Sequence, residues 1–231
     1  MTDILAPMSG RDTKGGFSGR WVAAVALLAL VSACAGPSEK RRSVRARQPA
    51  RVAPPQVDIK QCVADLRRLG VQFSTLPDRS FGGGCSAVGS VKLLDTGVPT
   101  TNLGAMTCPL AEKFSAWTRY AVQPAARLFL GSELVRIETF GTYSCRPIAG
   151  SGRLSEHARS NAVDVSAFVL ADGRRISIKG NWNGDSREQQ FLRTIRGSAC
   201  KRFRTVLSPD YNAAHQDHLH FDLGGKGLYC R

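Results

Sequence analysis

The sequence predicts an α+β domain in which helices flank a mainly antiparallel sheet. Apolar residues recur at helical spacing in three segments, and they alternate with polar residues or run together in four short segments. An Asp-Gly pair typical of a β-hairpin joins two of these short segments. Helices and hairpins mixed along one chain favour the α+β class. A hydrophobic content of 42% in 231 residues is sufficient for a packed core.

Two helices are predicted from the residues that begin and end them. Asp58 is suited to cap the first helix, which should end at Gly70. Pro109 suits the first turn of the second helix, Pro124 should break or kink it, and Gly131 should end it. The buried stripe of the second helix is predicted at positions i, i+4, i+7 and i+11, which are Leu110, Phe114, Trp117 and Ala121.

A third helix and the strands follow from the same kind of pattern. The helix is predicted to begin near Ser186, with Gln189 completing a capping box. Val135 and Ile137 are expected to face inward in the first strand of the sheet, and the Asp-Gly pair is the expected turn between the second and third. These strands are predicted over 135–140, 163–170, 175–178 and 217–223.

Residues 1–34 have the organisation of an export signal and are set apart from the fold. A basic segment precedes the apolar run Trp21–Val31, whose 11 residues are fewer than the ~20 that span a bilayer. The small residues before Cys34 resemble a bacterial lipoprotein cleavage box, which implies that Cys34 becomes the lipidated first residue of the mature chain. A simple secretory signal is the alternative. Because the basic segment is long, Met8 is an alternative start.

The signal implies a periplasmic protein held at a membrane through a lipid on Cys34. Ala35 and Gly36 follow with no Asp, which by resemblance indicates the outer membrane over the inner. Residues 35–56 are basic, contain Pro54-Pro55 and have almost no aliphatic content, so they are predicted to form a solvated tether. Residues 57–231 are the predicted folded domain, which we expect to be a monomer.

The formal net charge of +14 favours anionic partners. Export argues against nucleic acid, and the chain has no motif that interleaves aromatic and basic residues as nucleic-acid binders do. Peptidoglycan, an anionic cell-wall polymer, or a lipid headgroup surface fits the charge better.

Six of the seven cysteines remain once Cys34 is assigned to the anchor. An even number in an oxidising compartment predicts three disulfides, and the spacing does not choose among the 15 pairings that six cysteines allow. A cysteine-rich zinc site is the rival interpretation, but the chain has no Cys-x-x-Cys pair to support it. The six residues are Cys62, Cys85, Cys108, Cys145, Cys200 and Cys230.

All four histidines lie in two short segments: His157 in the first, and His215, His218 and His220 in the second. Asp164 follows His157 by seven residues and belongs to a predicted strand. Imidazole and carboxylate are common zinc ligands, and a catalytic zinc ion typically has three protein ligands and one open position. We therefore predict one zinc ion bound by His157, Asp164 and His220.

Strand alternation over 217–223 predicts that His218, His220 and Asp222 share one face, while Leu219 and Phe221 face the core. Asp222 is expected either to orient a histidine through its outer nitrogen or to make a surface hydrogen bond. His215 is expected to be a satisfied side chain, or a contact to a ligand or to substrate, rather than a ligand itself.

These segments resemble the bacterial family with an extensin-like C-terminal domain, over about residues 60–231. The resemblance includes Tyr143–Arg146, residues 155–165 and residues 217–220. More distantly the chain is similar to zinc peptidases that include lysostaphin-type endopeptidases, D-Ala-D-Ala carboxypeptidases and murein endopeptidases. Those enzymes share a Ser-x-His-(six residues)-Asp motif and a later His-x-His, matched here by Ser155, His157, Asp164, His218 and His220.

The peptidase resemblance implies the zinc D-Ala-D-Ala peptidase (hedgehog-like) type of fold. It also implies hydrolysis of a peptide bond in peptidoglycan, by an endopeptidase or a D,D-carboxypeptidase. His218 is the preferred general base, because regular strand geometry would turn Asp217 away from the metal, and a bulge would reverse that preference. Arg146 is the candidate to bind the oxyanion or a substrate carboxylate, and a surface ion pair is its alternative role.

Two departures from the peptidase pattern keep a second function open. The peptidases usually have Gly where this chain has Ser160, which could change the loop turn. They often have a Gly-Tyr-Arg run, whereas here Tyr143 and Arg146 are separated by two residues. The alternative is a non-catalytic lipoprotein that binds the cell wall or has a structural role and is stabilised by zinc.

Metabolic labelling tests the predicted lipidation. Expression with a palmitate analogue is expected to label the wild-type chain and not Cys34→Ser, because the cysteine thiol is the attachment point that the cleavage box implies. In-gel detection of the label measures this. An unlabelled wild-type chain would show that the signal is an ordinary secretory one.

Overall fold

The computed structural model describes residues 58–231, so the predicted signal, Cys34 and the tether lie outside the described residues. Its helices are α1 (Ile59–Arg68), α2 (Cys108–Trp117), α3 (Gln123–Ala125), α4 (Ile178–Asn181) and α5 (Ser186–Cys200). Its strands are β1 (Gln72–Thr75), β2 (Arg79–Gly82), β3 (Cys85–Ala87), β4 (Ser90–Asp95), β5 (Met106–Thr107), β6 (Leu134–Gly141), β7 (Ala162–Leu170), β8 (Arg175–Ser177), β9 (Thr205–Leu207), β10 (Leu219–Asp222) and β11 (Tyr229–Cys230).

A sheet of six strands lies at the centre of the part that is described, in the order β11-β9-β10-β7-β6, with β8 also paired to β7. Every pair in it is antiparallel except β9 with β11. β10 pairs with the first half of β7 and β8 with the second half. The predicted α+β class with a mainly antiparallel sheet is confirmed, and so is the hairpin between β7 and β8.

Helices pack on the sheet through aromatic side chains. The ring centroid of Trp117 in α2 lies 4.9 Å from that of Phe221 in β10 and 6.2 Å from that of Phe168 in β7. The Trp117 indole N–H donates a 2.9 Å hydrogen bond to the Ile195 carbonyl of α5, which satisfies this buried polar group. Phe168 also contacts Phe191 of α5. This core fixes the inner faces of the two strands that carry the site described below.

The second predicted helix is longer and less regular than a single α-helix. It continues from α2 through a π-helical turn (Thr118–Val122), α3 and a second π-helical turn (Ala126–Leu130) to Gly131. Pro124 lies in α3 between the two π-helical turns, which is where the kink was predicted. Gly131 has φ 66°, the left-handed conformation that glycine adopts readily, and it ends the helical run as predicted.

Smaller strands form two further sheets. β1, β4 and β5 make an antiparallel sheet of three strands in the described region, and β2 pairs with β3 as a hairpin. α1 begins at the predicted cap, because the Asp58 carboxylate accepts a hydrogen bond from the Lys60 amide at 2.9 Å. No helix within residues 58–231 combines the length and the apolar character needed to cross a membrane.

Three disulfides connect the six predicted cysteines within the described residues, which confirms that prediction. Cys62 of α1 pairs with Cys108 at the start of α2. The other pairs are Cys85 with Cys145 and Cys200 with Cys230. The Cys85–Cys145 bond joins β3 to the loop that follows β6, and this loop leads into the first histidine segment.

Two strand predictions differ from the structure. Val135 is 42% exposed and not inward, because the register of β6 against β7 shifts between Leu134 and Arg136 and places Leu134 in the core instead. The last predicted strand begins at Leu219 and not at Asp217. The expected alternation of inward and outward side chains therefore does not apply to Asp217.

The third helix begins at Ser186 as predicted, but its predicted capping box is wrong. Asp185, not Ser186, is the N-cap of α5, and its carboxylate accepts hydrogen bonds from two first-turn amides at 2.8 and 3.0 Å. Gln189 does not complete a capping box, since its side-chain amide donates to the Gly184 carbonyl. Aspartate and serine are both good caps, so the aspartate one residue earlier takes that role.

Candidate metal centre

His157 lies in a short 3₁₀ turn, Glu156–Arg159, whose ends are set by two serines. The Ser155 hydroxyl accepts a hydrogen bond from the His157 amide at 3.3 Å and caps the turn. Ser160 ends the turn with φ 54°, the left-handed region that favours glycine. The peptidase motif usually has glycine at this position. Ser160 adopts the left-handed conformation that glycine favours, so the serine does not prevent this turn.

Asp164 and His220 face each other across neighbouring strands. They are direct partners in the antiparallel ladder of β7 and β10. Opposed residues of such a ladder project their side chains from the same face, a few ångströms apart. Leu219 and Phe221 are buried in the core, and the alternation of β10 therefore turns His220 to the opposite face, towards Asp164.

The side chains of His157, Asp164 and His220 converge. His157 Nε2 lies 3.0 Å from Asp164 Oδ2 and 3.2 Å from His220 Nδ1. His220 Nδ1 lies 2.8 Å from Asp164 Oδ1. One ligand atom from each residue lies within 4.8 Å of the others, and the three residues are only 3%, 7% and 8% exposed. The structure thus brings together a buried group that could hold a metal ion.

The outer nitrogen of each imidazole has its own partner. His157 Nδ1 lies 3.2 Å from the Thr142 carbonyl and donates to it, which leaves the Nε2 lone pair directed at Asp164. His220 Nε2 lies 2.9 Å from Asp222 Oδ2 and donates to it, which leaves Nδ1 directed inward. Histidines that bind metals are held in this way by a carbonyl or carboxylate on the far nitrogen. The inward atoms are then all acceptors, and they require a proton or a metal ion between them.

The charges within the group follow from burial and hydrogen bonding. Burial raises the pKa of Asp164, but the contacts with His157 and His220 outweigh burial, so the carboxyl has a pKa far below its ordinary value and is ionised. Burial lowers the pKa of His220, but its bonds to Asp164 and Asp222 outweigh burial and raise the pKa to about 9. Without a metal, His220 is therefore protonated at neutral pH.

His218 lies beside the group, just before β10. Its Nδ1 is 2.8 Å from Asp217 Oδ1 and donates to it, so Nε2 is the free acceptor. That Nε2 is 3.7 Å from Asp164 Oδ1, beyond hydrogen-bond reach but close to the cluster. Asp217, which regular strand geometry was expected to turn away, contacts His218 because the strand has not yet begun.

His215 and Arg146 lie at the edge of the cluster. The His215 ring is 5.0 Å from that of His218 and 6.0 Å from that of His220, and its Nδ1 is 2.7 Å from Asn212 Oδ1. Burial and the neighbouring histidines lower the pKa of His215 to about 4, with a smaller effect from the charge of Arg146, so the ring is neutral. Arg146 is exposed, and its guanidinium has no hydrogen-bond or ion-pair partner within residues 58–231.

One contact that holds the site was not predicted from the sequence. The Thr142 carbonyl positions His157, but every residue has a carbonyl, so no side-chain pattern marks this one. The position of this carbonyl depends on where β6 ends and where the following loop turns back towards β7. Only the tertiary fold determines these two points.

Metal binding is expected to weaken as the pH falls. At neutral pH an ion must displace the proton that His220 holds with a pKa of about 9. The apparent affinity should therefore fall by about tenfold for each pH unit between pH 8 and pH 6, with release of about one proton per ion. Calorimetric titration with a divalent metal in buffers of different ionisation enthalpy measures both quantities. An affinity that is constant over this range would contradict the protonated state of His220.

Comparison with known proteins gives one family. The sequence model of one protein family, the extensin-like protein C-terminus, matches residues 60–231, and this range includes the whole histidine and aspartate cluster. Neither the curated proteins nor the solved structures gave a match. Because the match covers well over half of the chain, this protein belongs to the extensin-like C-terminus family.

Proposed function

We propose that the domain is a zinc-dependent peptidase that cleaves peptide bonds in peptidoglycan, as an endopeptidase or a D,D-carboxypeptidase. The observation that carries the proposal is the buried group of His157, Asp164 and His220, whose inward-facing nitrogen and oxygen atoms lie close to one another. The proposal also needs a general base, and His218 is the candidate because its imidazole lies beside this group without belonging to it.

Zinc fits the donor set better than magnesium or calcium. Two imidazole nitrogens and one carboxylate are a ligand set of catalytic zinc, whereas magnesium and calcium prefer oxygen ligands. The far nitrogens of both imidazoles are already held by Thr142 and Asp222, so binding requires little rearrangement of the rings. Three protein ligands leave one position for water or substrate.

The neighbouring side chains have defined tasks in this proposal. Zinc would supply a Lewis acid and lower the pKa of water to ~7. His218 accepts the proton of the attacking water at Nε2, and Asp217 holds the ring through Nδ1 and stabilises the imidazolium. Later the same nitrogen returns the proton to the leaving amine. The guanidinium of Arg146, which has no partner among the described residues, is available to bind the carbonyl oxygen as negative charge develops on it.

The proposed location is the periplasmic face of a membrane, preferably the outer membrane, through a lipid on Cys34. Three disulfides within the described residues are consistent with an oxidising compartment. A lipid anchor with a basic tether would hold the enzyme beside the wall polymer, and the net charge of +14 would favour the carboxylates of that polymer.

Metal analysis of variants tests the ligand set. His157→Ala and His220→Ala are each expected to lose zinc, because each removes one of three ligands, whereas His218→Ala should retain one ion per chain. Inductively coupled plasma spectrometry of the purified, dialysed proteins measures this. Full zinc retention by His157→Ala would refute the assignment of His157, and loss of zinc from His218→Ala would make His218 a ligand.

Incubation of the mature domain with purified sacculi tests the activity. Wild type is expected to release or shorten muropeptides, and chelator should abolish this. His218→Ala should lose at least ~100-fold in rate, because general base catalysis contributes about that much. Chromatography and mass spectrometry of the muropeptides measure the products. Binding to sacculi without any product would favour the non-catalytic wall-binding lipoprotein.

A further inference from the structure

A cavity of about 330 Å³ lies next to the metal centre. Strands β6, β7 and β8, helix α4 and the segment before β10 all contribute to its lining, among them Phe140, Arg175, Lys179 and Asp217. Its volume is within the range of small-molecule sites. Two of its residues also contact His218: Asp217 is hydrogen-bonded to it, and the Phe140 ring centroid lies 5.7 Å from that of His218.

The distance from the cavity to the metal centre matches a short stretch of peptide. Ser166 lines the cavity and lies two residues from Asp164 on β7, which separates their Cα atoms by ~7 Å at the usual rise of a strand. An extended peptide covers ~3.5 Å per residue. A peptide whose bond is cut beside Asp164 can therefore reach the cavity with a group one or two residues from that bond.

Two cationic side chains in the cavity lining can donate hydrogen bonds to an anion. The Lys179 ammonium has no hydrogen-bond or ion-pair partner in the described part of the chain. Arg175 donates to Glu138 Oε2 through Nε and Nη2, at 2.8 and 2.6 Å, which leaves its second terminal nitrogen available. Asp217 places a carboxylate in the same lining, where it accepts a hydrogen bond from His218 Nδ1. Within the described residues, one cation thus has no ion-pair partner, and a second has a spare donor nitrogen.

An apolar wall accompanies the two cations. The Phe140 side chain lines the cavity and is 60% exposed, which is unusual for a phenylalanine. A ligand that combines a short aliphatic part with one carboxylate would contact the ring and the two cations together. A free phosphate or sulfate would use the cations and leave the ring exposed.

We propose that this cavity is a subsite for a peptide carboxylate within two residues of the cleaved bond, held by Lys179 and Arg175 against Phe140. This inference rests on the proposed function and adds the group that positions the substrate. Peptidoglycan stems carry several carboxylates, of which two are compared below: the C-terminus of the peptide and the side chain of its diamino acid. Lys179 and Arg175 are binding residues in this proposal and take no part in bond cleavage.

The test compares three synthetic stem pentapeptides that contain diaminopimelate. The glutamate α-carboxylate is amidated in all three. The first has its C-terminal and diaminopimelate side-chain carboxylates free, the second has a C-terminal amide, and the third has the side-chain carboxylate amidated. Binding to the metal-free full chain is measured by calorimetry, so that no turnover occurs. Wild type should bind the first peptide at least about tenfold more tightly than one of the amides, since a charge-assisted hydrogen bond is lost. The amide that binds weakly identifies the source.

Variants connect this preference to the cavity. Lys179→Ala should bind all three peptides with nearly equal affinity, and Lys179→Arg should restore the preference because it restores the charge. Lys92→Ala, an exposed lysine on β4 outside the cavity, is the matched control and should behave as wild type. Equal binding of the three peptides by wild type, or an unchanged preference in Lys179→Ala, would overturn the subsite.

Hydrolysis of the same peptides by the zinc-loaded chain is followed in parallel by mass spectrometry. A preference that depends on Lys179, without any hydrolysis, would support the subsite and reject the peptidase. Hydrolysis of all three peptides with equal KM, in wild type and in Lys179→Ala, would support the peptidase and reject the subsite.

Discussion

The convergence of acceptor atoms from His157, Asp164 and His220 is the constraint on which the rest of the site depends. A buried carboxylate costs several kcal/mol unless it is paired, so the cluster needs positive charge. In the absence of metal that charge is the proton on His220, whose pKa is raised by its two carboxylate partners. The group could hold a metal ion in place of this proton, because the outer nitrogens of both imidazoles have their own partners in Thr142 and Asp222.

The small hairpin of β2 and β3 supports the part of the site that the central sheet does not reach. Asp164 and His220 are fixed by strand pairing, but His157 lies in a turn outside the sheet. β3 contacts both ends of that segment, through the Cys85–Cys145 disulfide at the loop and through the Ser86 carbonyl, which accepts from the Ser160 hydroxyl at 3.4 Å. This disulfide thus restrains the position of His157 in the folded protein, and it also restricts the conformations of the unfolded chain.

Much of the fold was predictable because its signals are local. The cap at Asp58, the end at Gly131 and the hairpin between β7 and β8 all follow from residues close in sequence. The inward face of β6 was predicted wrongly, since a shift in register at Leu134 depends on the partner strand. For the site, residue type and spacing indicated which side chains meet. The Thr142 carbonyl and the disulfide pairing depend on tertiary structure, and no local pattern encodes them.

The position of His218 bears on whether the centre is catalytic or structural. A structural zinc site is normally closed by a fourth protein ligand, and His218 is the nearest candidate. Its Nε2 lies 3.7 Å from Asp164 Oδ1, whereas the nitrogens of His157 and His220 lie 3.0 and 2.8 Å from that carboxylate. Asp217, whose side chain is 40% exposed, holds the ring from the solvent side. In the proposed peptidase, this arrangement would place His218 beside the three ligands, where a general base is required.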